Sequence, residues 1–424
     1  MSDQVSNNQI IPDINSPPTV IQKLLEPISK IIAEQNRQLS KHHNEKLDYE
    51  QFIKILLYFF ISELTSLKLF ITTRLNQGLL PPGFGIKPVP YSTFQDGFSR
   101  FSISLFQAVF YHLVKTLSLK SVPEFATLGT LCCVDGSLFP VIRSMLWAEY
   151  TSKHKALKLH LCFELNRMIP VDFQIGSGKS SERKALLKMA QAGVTYIADR
   201  GYMGFKLCFD LVQKNSFFII RTKDNLLFET LNNLPVVLPA LAMNLFQSVS
   251  DSLVRCTNDP HKQTYRLVCF SINNEIYWIL TNRLDLTTFQ VIMLYAYRWQ
   301  IELLFRFLKR TMNGIHLIRH DIHGVTIQFY TMMIVALLQL HFKQQILESN
   351  VATKKTKNDA DKPSISRSQK TTPSSRLDQA GFLKSLGQSV KKYWKIGIHW
   401  LTALRDLLSH PFNDEAIRIL VATT

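Results

Sequence analysis

The chain has 424 residues, 46% of them hydrophobic, enough to bury a substantial core and long enough for two or three domains. Lys and Arg number 49 against 32 Asp and Glu, a formal net charge of +17 with a pI near 9.5. Such an excess attracts a polyanion through counterion release, so nucleic acid is the first partner to test, although charge alone also fits ribosome-associated and membrane-surface proteins. The cysteines, Cys132, Cys133, Cys162, Cys208, Cys256 and Cys269, form no Cys-x-x-Cys pair, which speaks against a zinc knuckle or redox couple and for reduced packing residues.

The N-terminus, MSDQVSNNQIIPDINSPP, lacks the basic start and apolar core of a secretory signal, so the expectation is a cytoplasmic protein. Residues 1 to about 45 are polar at first and then weakly helical, and read as a loosely held arm. From Tyr49 to Leu75 apolar residues recur at helical spacing, ending before the breaker run Pro81-Pro82-Gly83. Ser92 or Thr93 offers an N-cap, and Phe98 to Leu117 carries a helical apolar stripe. Residues 1–125 are therefore expected to form a helical N-terminal region and a candidate DNA-recognition module. Apolar Phe329 to Leu340 is too short for the ~20 residues that span a bilayer and reads as a core helix, so no membrane partner is expected.

At Thr130 the pattern changes. Leu131 to Val134 reads as a buried strand delivering Asp135 at its end, followed by Gly136. Leu157, Leu159, Leu161 and Phe163 alternate with more polar neighbours, the period of a half-buried strand, and Met168 to Ile175 can pair with it. Ser181 caps a predicted helix through Ala192, and Val194 to Ala198 is a second buried strand with Asp199-Arg200-Gly201-Tyr202 at its tip. Phe205 to Lys214 and Phe217 to Arg221 continue the alternation. The fold class is α/β, a mixed sheet with functional groups at strand ends. Between about 222 and 286 the helical pattern gives way to a β-rich insertion, with a hairpin of Tyr265–Ile272 and Glu275–Thr281. A long helix is predicted from Thr287 or Thr288 to Met312, and another from Val325 to Leu347. The expected division is 1–125, a catalytic domain at 126–348, a disordered basic linker at 349–377 and a C-terminal helical segment at 378–424. Within the linker, Lys354, Lys355 and Lys357 serve solubility or nonspecific DNA contact.

Moving a phosphodiester bond without a covalent enzyme intermediate calls for Mg²⁺ or Mn²⁺ held by oxygen ligands, and two such ions can activate the attacking oxygen and stabilise the leaving one. Asp135, Asp199 and Glu302 are the candidate metal-binding and catalytic carboxylates, two ions per site. Each has a bland reading. An aspartate before a glycine is usually a turn former, and Arg298 with Glu302 makes an ordinary i, i+4 helix pair. Yet Glu302 sits among bulky groups, in Tyr-Arg-Trp-Gln-Ile-Glu-Leu-Leu-Phe. Tyr295, Arg298, Glu302 and Lys309 fall within roughly 60° of arc on one helix face, a carboxylate for metal beside a guanidinium, an ammonium and a phenol for phosphate oxygens.

These four residues match Y-(2)-R-(3)-E-(6)-K, and with Val134-Asp135-Gly136-Ser137, Ala198-Asp199-Arg200-Gly201-Tyr202 and Phe218-Ile219-Ile220-Arg221 the chain resembles the insertion-sequence family 4 transposases of the Asp-Asp-Glu group over about residues 130–345. The resemblance implies a ribonuclease H-like catalytic domain with a β-rich insertion, acting on double-stranded DNA at the inverted repeats of a bacterial mobile element and joining it to target DNA, as a nucleoid-associated homodimer. It assigns phosphate contacts to Tyr295, Arg298 and Lys309. Trp299 and Trp278 are candidates to stack on a base, against a core role for either. His316, His320 and His323 with Asp321 have spacings that suit a transition metal, but basic surface is the simpler reading. Two alternatives remain open at this point: a nuclease on the same fold, and a transposase-derived DNA-binding protein or inhibitor that has lost catalysis.

Overall fold

The computed structural model describes residues 20–40, 45–61, 66–78, 85–119, 125–238, 246–272, 275–310 and 316–360. The Asn273-Asn274 turn, the end of the long helix near Met312, most of the 349–377 linker and the whole of 378–424 lie outside them. Chain contacts divide the protein into a helical unit, up to Leu117 together with His323–Ile346, and a sheet unit that includes Ser118–Ile322.

The helical unit begins earlier than composition suggests. Residues Val20–Gln38 form helix α1, which accommodates Pro27 and buries Leu24, Leu25, Ile28 and Ile32 along one face. The arm expected before residue 45 is thus in part an amphipathic helix, because a one-sided apolar stripe recurring every three to four residues outweighs a largely polar composition. Helix α2 (Tyr49–Ile61) packs Phe52 against Phe94, Phe98, Phe101 and Phe106. The stripe predicted to run as one helix to Leu117 is broken at Phe101 and Ser102 into α3 (Tyr91–Arg100) and α4 (Ile103–Thr116), with Phe101 extended at φ −91°, ψ 129°. Gly97 lets Phe52 approach its backbone, since a methyl group there would lie 2.7 Å from that ring.

In the sheet unit a nine-stranded sheet carries the order β3-β2-β1-β4-β5-β9-β8-β7-β6. Strands β1 (Thr130–Val141), β2 (Lys155–Glu164) and β3 (Ile169–Ser177) form an antiparallel meander, while β4 (Val194–Ala198) and β5 (Phe217–Arg221) add in parallel to β1. The parallel additions need crossovers, supplied by α5 (Glu182–Met189) and α6 (Phe205–Gln213). This is the mixed α/β sheet that the alternation predicts. The β-rich insertion adds β6 (Phe228–Asn233), β7 (Ser248–Cys256), β8 (Thr264–Ile272) and β9 (Glu275–Thr281). It extends the same sheet, because β9 pairs antiparallel with β5 through Ile219 and Thr281. The β8–β9 hairpin runs in register from Arg266 opposite Thr281 to Ile272 opposite Glu275.

A buried ion pair ties the insertion to the next helix. Asp251 accepts from Arg266 at 2.9 and 2.6 Å and from the Thr288 hydroxyl at 2.8 Å, and Arg266 also donates to the Arg283 and Leu286 carbonyls. Thr287 caps α7 (Thr288–Tyr297) with a reciprocal capping box through Gln290. Helix α8 (Trp299–Arg310) follows after Arg298, whose φ −50° and ψ −30° keep the helical path, so the single long helix expected from the sequence becomes two with a continuous face.

The last helix, α9 (Ile322–Ala360), continues past the 348 boundary set by composition. Its His323–Ile346 portion belongs to the helical unit, where Tyr330 accepts a hydrogen bond from Gln107 and stands against Phe110. The apolar stretch is longer than Phe329–Leu340. Ile322–Gln345 is long and apolar enough to cross a membrane, but 83% of its most apolar window is already buried by protein, as in a core helix. All six cysteines are free, and all but Cys269 are buried.

Candidate active site

Asp135 lies within β1 rather than at its end, opposite Leu161 of β2. What ends there is the parallel partner: β1 and β4 are paired only as far as Cys133 and Ile197. Two residues further on in each strand stand Asp135 and Asp199, level with one another where β4 has run out. Asp135 Oδ1 accepts from the Gly136 N–H at 2.7 Å, and Asp199 Oδ1 from the Gly201 N–H at 2.9 Å, closing the short 3₁₀ turn Arg200–Tyr202.

Helix α8 packs on β1 and brings Glu302 to this end of the sheet. Arg298 bridges the two elements, its Nη2 donating to Glu302 Oε1 at 2.8 Å and its Nη1 3.8 Å from Asp135 Oδ2. The i, i+4 pair exists, and the same guanidinium reaches a second carboxylate from another element. Burial pushes Asp135 up to about 6; the charges of Asp199 and Glu302 add to the rise, while the Gly136 N–H and Arg298 oppose it. Burial, followed by the charges of Asp135, Glu182 and Asp199, holds the Tyr202 phenol well above its ordinary value.

The remaining signature residues divide by environment. Tyr295 is buried, with the Arg298 guanidinium 5.9 Å from its ring centre and Tyr277 on another side. Lys309 lies with its ammonium 4.9 Å from the Phe139 ring, where burial lowers its pKa. Trp299 is exposed, whereas Trp278 is partly buried edge-on against Phe228 and adjoins the sheet's core. The histidines do not gather. His323 contacts the Phe101 carbonyl at 3.1 Å, and the His320 carbonyl accepts from the Trp147 indole.

Among the described residues no three His, Cys, Asp or Glu side chains are clustered tightly enough to enclose a metal ion. The donor chemistry nevertheless fits a hard divalent cation: Asp135, Asp199 and Glu302 offer only oxygen and crowd one another's charge. The buried Nε of Arg298 has no hydrogen-bond partner, leaving one donor of a charged group unused beside those carboxylates.

Sequence reasoning missed Glu182. It is the first residue of α5, behind the Ser181 cap that accepts from the Lys184 N–H, and its Oε1 takes an ion pair from Lys158 at 3.1 Å. An acidic residue in a helix's first turn ordinarily complements the helix dipole, so nothing in its local sequence set it apart. The available signal is the glycine within two residues of each aspartate.

A mixed sheet with acidic groups where its parallel strands end, faced by a helix carrying a further acid and cations, defines an α/β protein with a carboxylate-rich site. The chain belongs to the family described as the transposase DDE domain, whose family model matches residues 127–338. It is similar to a Sinorhizobium fredii protein named as transposase y4zB, 23% identical over 264 residues, covering 60% of this chain and 73% of that protein. It is also similar to proteins named as transposases for insertion sequence elements: IS5377 of Geobacillus stearothermophilus, 23% identical over 52% of this chain and 58% of that protein, and IS4SA of Synechocystis, 23% identical over 59% and 71%. It is a DDE-type transposase of the insertion-sequence kind.

Proposed function

We propose that this transposase cuts double-stranded DNA at the terminal inverted repeats of its element and joins the freed ends to target DNA, working as a homodimer on DNA with a ribonuclease H-like catalytic domain. The observation that carries the reading is that Arg298 pairs with Glu302 and stands 3.8 Å from Asp135, while Asp199, just beyond the last paired residues of β1 and β4, adds its charge at Asp135. The meander β3-β2-β1 continued in parallel by β4 and β5 supports the fold assignment.

Asp135, Asp199 and Glu302 would hold two Mg²⁺ or Mn²⁺ ions, which when bound activate the attacking oxygen and neutralise the leaving one. The protein's own groups set the geometry. Arg298 directs its two terminal nitrogens at Asp135 and Glu302, fixing the two carboxylates relative to each other and setting a positive charge beside them for the DNA phosphates. Tyr295 backs that guanidinium, and Lys309 supplies a second positive charge further along α8. Trp299 stacks on an unpaired base, a contact worth about 1–3 kcal/mol, and its exposure beside Arg298 supports this role.

The test is cleavage of end-labelled repeat DNA by Asp135→Asn, Asp199→Asn and Glu302→Gln proteins, with and without excess chelator. Each variant is expected to bind the repeat and leave it uncut. Full cleavage by any one removes that residue from the site, and full wild-type cleavage in chelator removes the metal mechanism.

A further inference from the structure

We infer that Glu182 is a positioning residue of this site, a fourth carboxylate that fixes the spacing of Asp135 and Asp199 and thereby their hold on divalent cations. The inference rests on the metal-dependent reading above. It starts from two glycines that the backbone does not explain. Gly136 and Gly201 both lie outside the left-handed region, which among the described glycines holds Gly78, Gly85, Gly129 and Gly193. Conformational freedom is therefore not what they supply.

They supply space, and one carboxylate fills it from both sides. A methyl group on Gly136 would stand 3.2 Å from Glu182 Oε1 and 3.3 Å from its Cγ, and a methyl on Gly201 would stand 3.1 Å from both Glu182 Oε2 and Asp199 Oδ1. Such separations are tighter than ordinary van der Waals contact, so a side chain at Gly136 would push on Glu182, and one at Gly201 on Glu182 and Asp199 alike. Gly136 directly follows Asp135 and Gly201 is two residues after Asp199. The Glu182 carboxylate is thus wedged between the two backbone turns that carry the metal-facing aspartates.

The wedge is itself held. The Ser181 cap fixes the start of α5, Lys158 pairs with Oε1, and the next residue, Arg183, packs against Gly204, where a methyl would lie 3.0 Å from its Nη1. A second polar group aims at the same place. His160 is 2% exposed, its Nε2 shares a hydrogen bond with Ser180 at 2.8 Å, and its unpartnered Nδ1 would lie 3.4 Å from the Gly136 methyl. A charged group and a buried orphan nitrogen converging on the Asp135 turn mark a polar support rather than filler.

Residues that orient metal-holding side chains typically change metal affinity by about 10- to 100-fold when removed. The experiment is calorimetric titration of Mn²⁺ into the full-length chain without DNA, comparing wild type with Glu182→Gln, Glu182→Ala, Gly136→Ala and Asp135→Asn, each checked for folding by circular dichroism. Glu182→Gln keeps the volume and loses the charge, and is expected to weaken Mn²⁺ about 10-fold. Gly136→Ala, which leaves Glu182 intact but moves it, is expected to weaken Mn²⁺ as well. Wild-type affinity in folded Glu182→Gln and Gly136→Ala, with loss in Asp135→Asn, would overturn the role of Glu182 alone. Wild-type affinity in Asp135→Asn would overturn the metal reading and this inference with it.

Discussion

Replacing Asp135 by Asn should stabilise the metal-free protein at neutral pH, and the size of the effect follows from its surroundings. The carboxyl is raised from 3.8 to about 6, first by burial and then by Asp199 and Glu302. At 1.36 kcal/mol per pKa unit, ionising it in the folded state costs about 3 kcal/mol relative to the unfolded chain. The sign follows from proton binding. Between the two pKa values the folded state holds the proton more tightly, so stability falls as pH rises; the penalty is absent below about pH 4 and complete above about pH 6. Asn retains an oxygen for the Gly136 N–H and carries no charge. For a unit of this size about 3 kcal/mol corresponds to roughly 6–12 °C in Tm, which is a ceiling because Arg298 loses a partner. Thermal unfolding followed by circular dichroism in chelator should show the gain at pH 7.5 and its disappearance toward pH 4. Excess Mg²⁺ should narrow the gap by stabilising only the wild type. A variant no more stable than wild type at pH 7.5, or equally favoured at pH 4, would refute the account of Asp135 as a carboxylate held at a cost.

Asp251→Ala should cost about 3–5 kcal/mol in urea unfolding, because it leaves the Arg266 guanidinium uncompensated inside the insertion. Thr287→Ala, which opens the capping box at the start of α7, should cost about 1 kcal/mol in the same assay. Arg298→Lys should cut end-labelled repeat DNA at a rate between those of wild type and Arg298→Ala, since an ammonium restores charge but cannot address Glu302, Asp135 and a phosphate together; equal rates for Lys and Ala would show that geometry alone matters.

Much of the sheet is legible because its strands obey local rules. The apolar run Val194 to Ala198 is buried on both faces, and the Tyr265–Ile272 and Glu275–Thr281 hairpin follows from β-propensity and a short turn. What could not be read is set by partners distant in sequence. The run from Leu131 seemed to end at Asp135 because β-propensity fades at Asp-Gly, yet β2 pairs with β1 through Val141 and carries the strand onward. The helix before residue 45 is only weakly legible because its largely polar composition masks the one-sided stripe of α1. The insertion's continuity with the main sheet depends on β9 meeting β5, a pairing that no local pattern announces. At the site, helical periodicity foretold that Arg298 and Glu302 share a face, and the pair is made. Periodicity was silent on Glu182, whose meaning comes only from glycines in two other elements.

The charges around Asp135 connect these observations. Asp135, Asp199, Glu302 and Glu182 are four acids, and Arg298 and Lys158 are the cations paired among them, Arg298 with Asp135 and Glu302, and Lys158 with Glu182. With every one of these groups ionised, four negative charges face two positive ones, a deficit that Lys309 further along α8 offsets only in part and that would repel an approaching phosphodiester. Burial raises the Asp135 pKa first, and the charges of Asp199 and Glu302 add to the rise. On the proposed reading two divalent ions reverse the sign, converting a net −2 into a net +2, and only then does the site attract a DNA backbone. Cation loading and DNA engagement at this point of the protein are therefore coupled by Coulomb's law, and each should tighten the other by the same factor. The +17 charge of the chain as a whole can hold DNA without metal, so the coupling belongs to the scissile phosphate and not to overall binding.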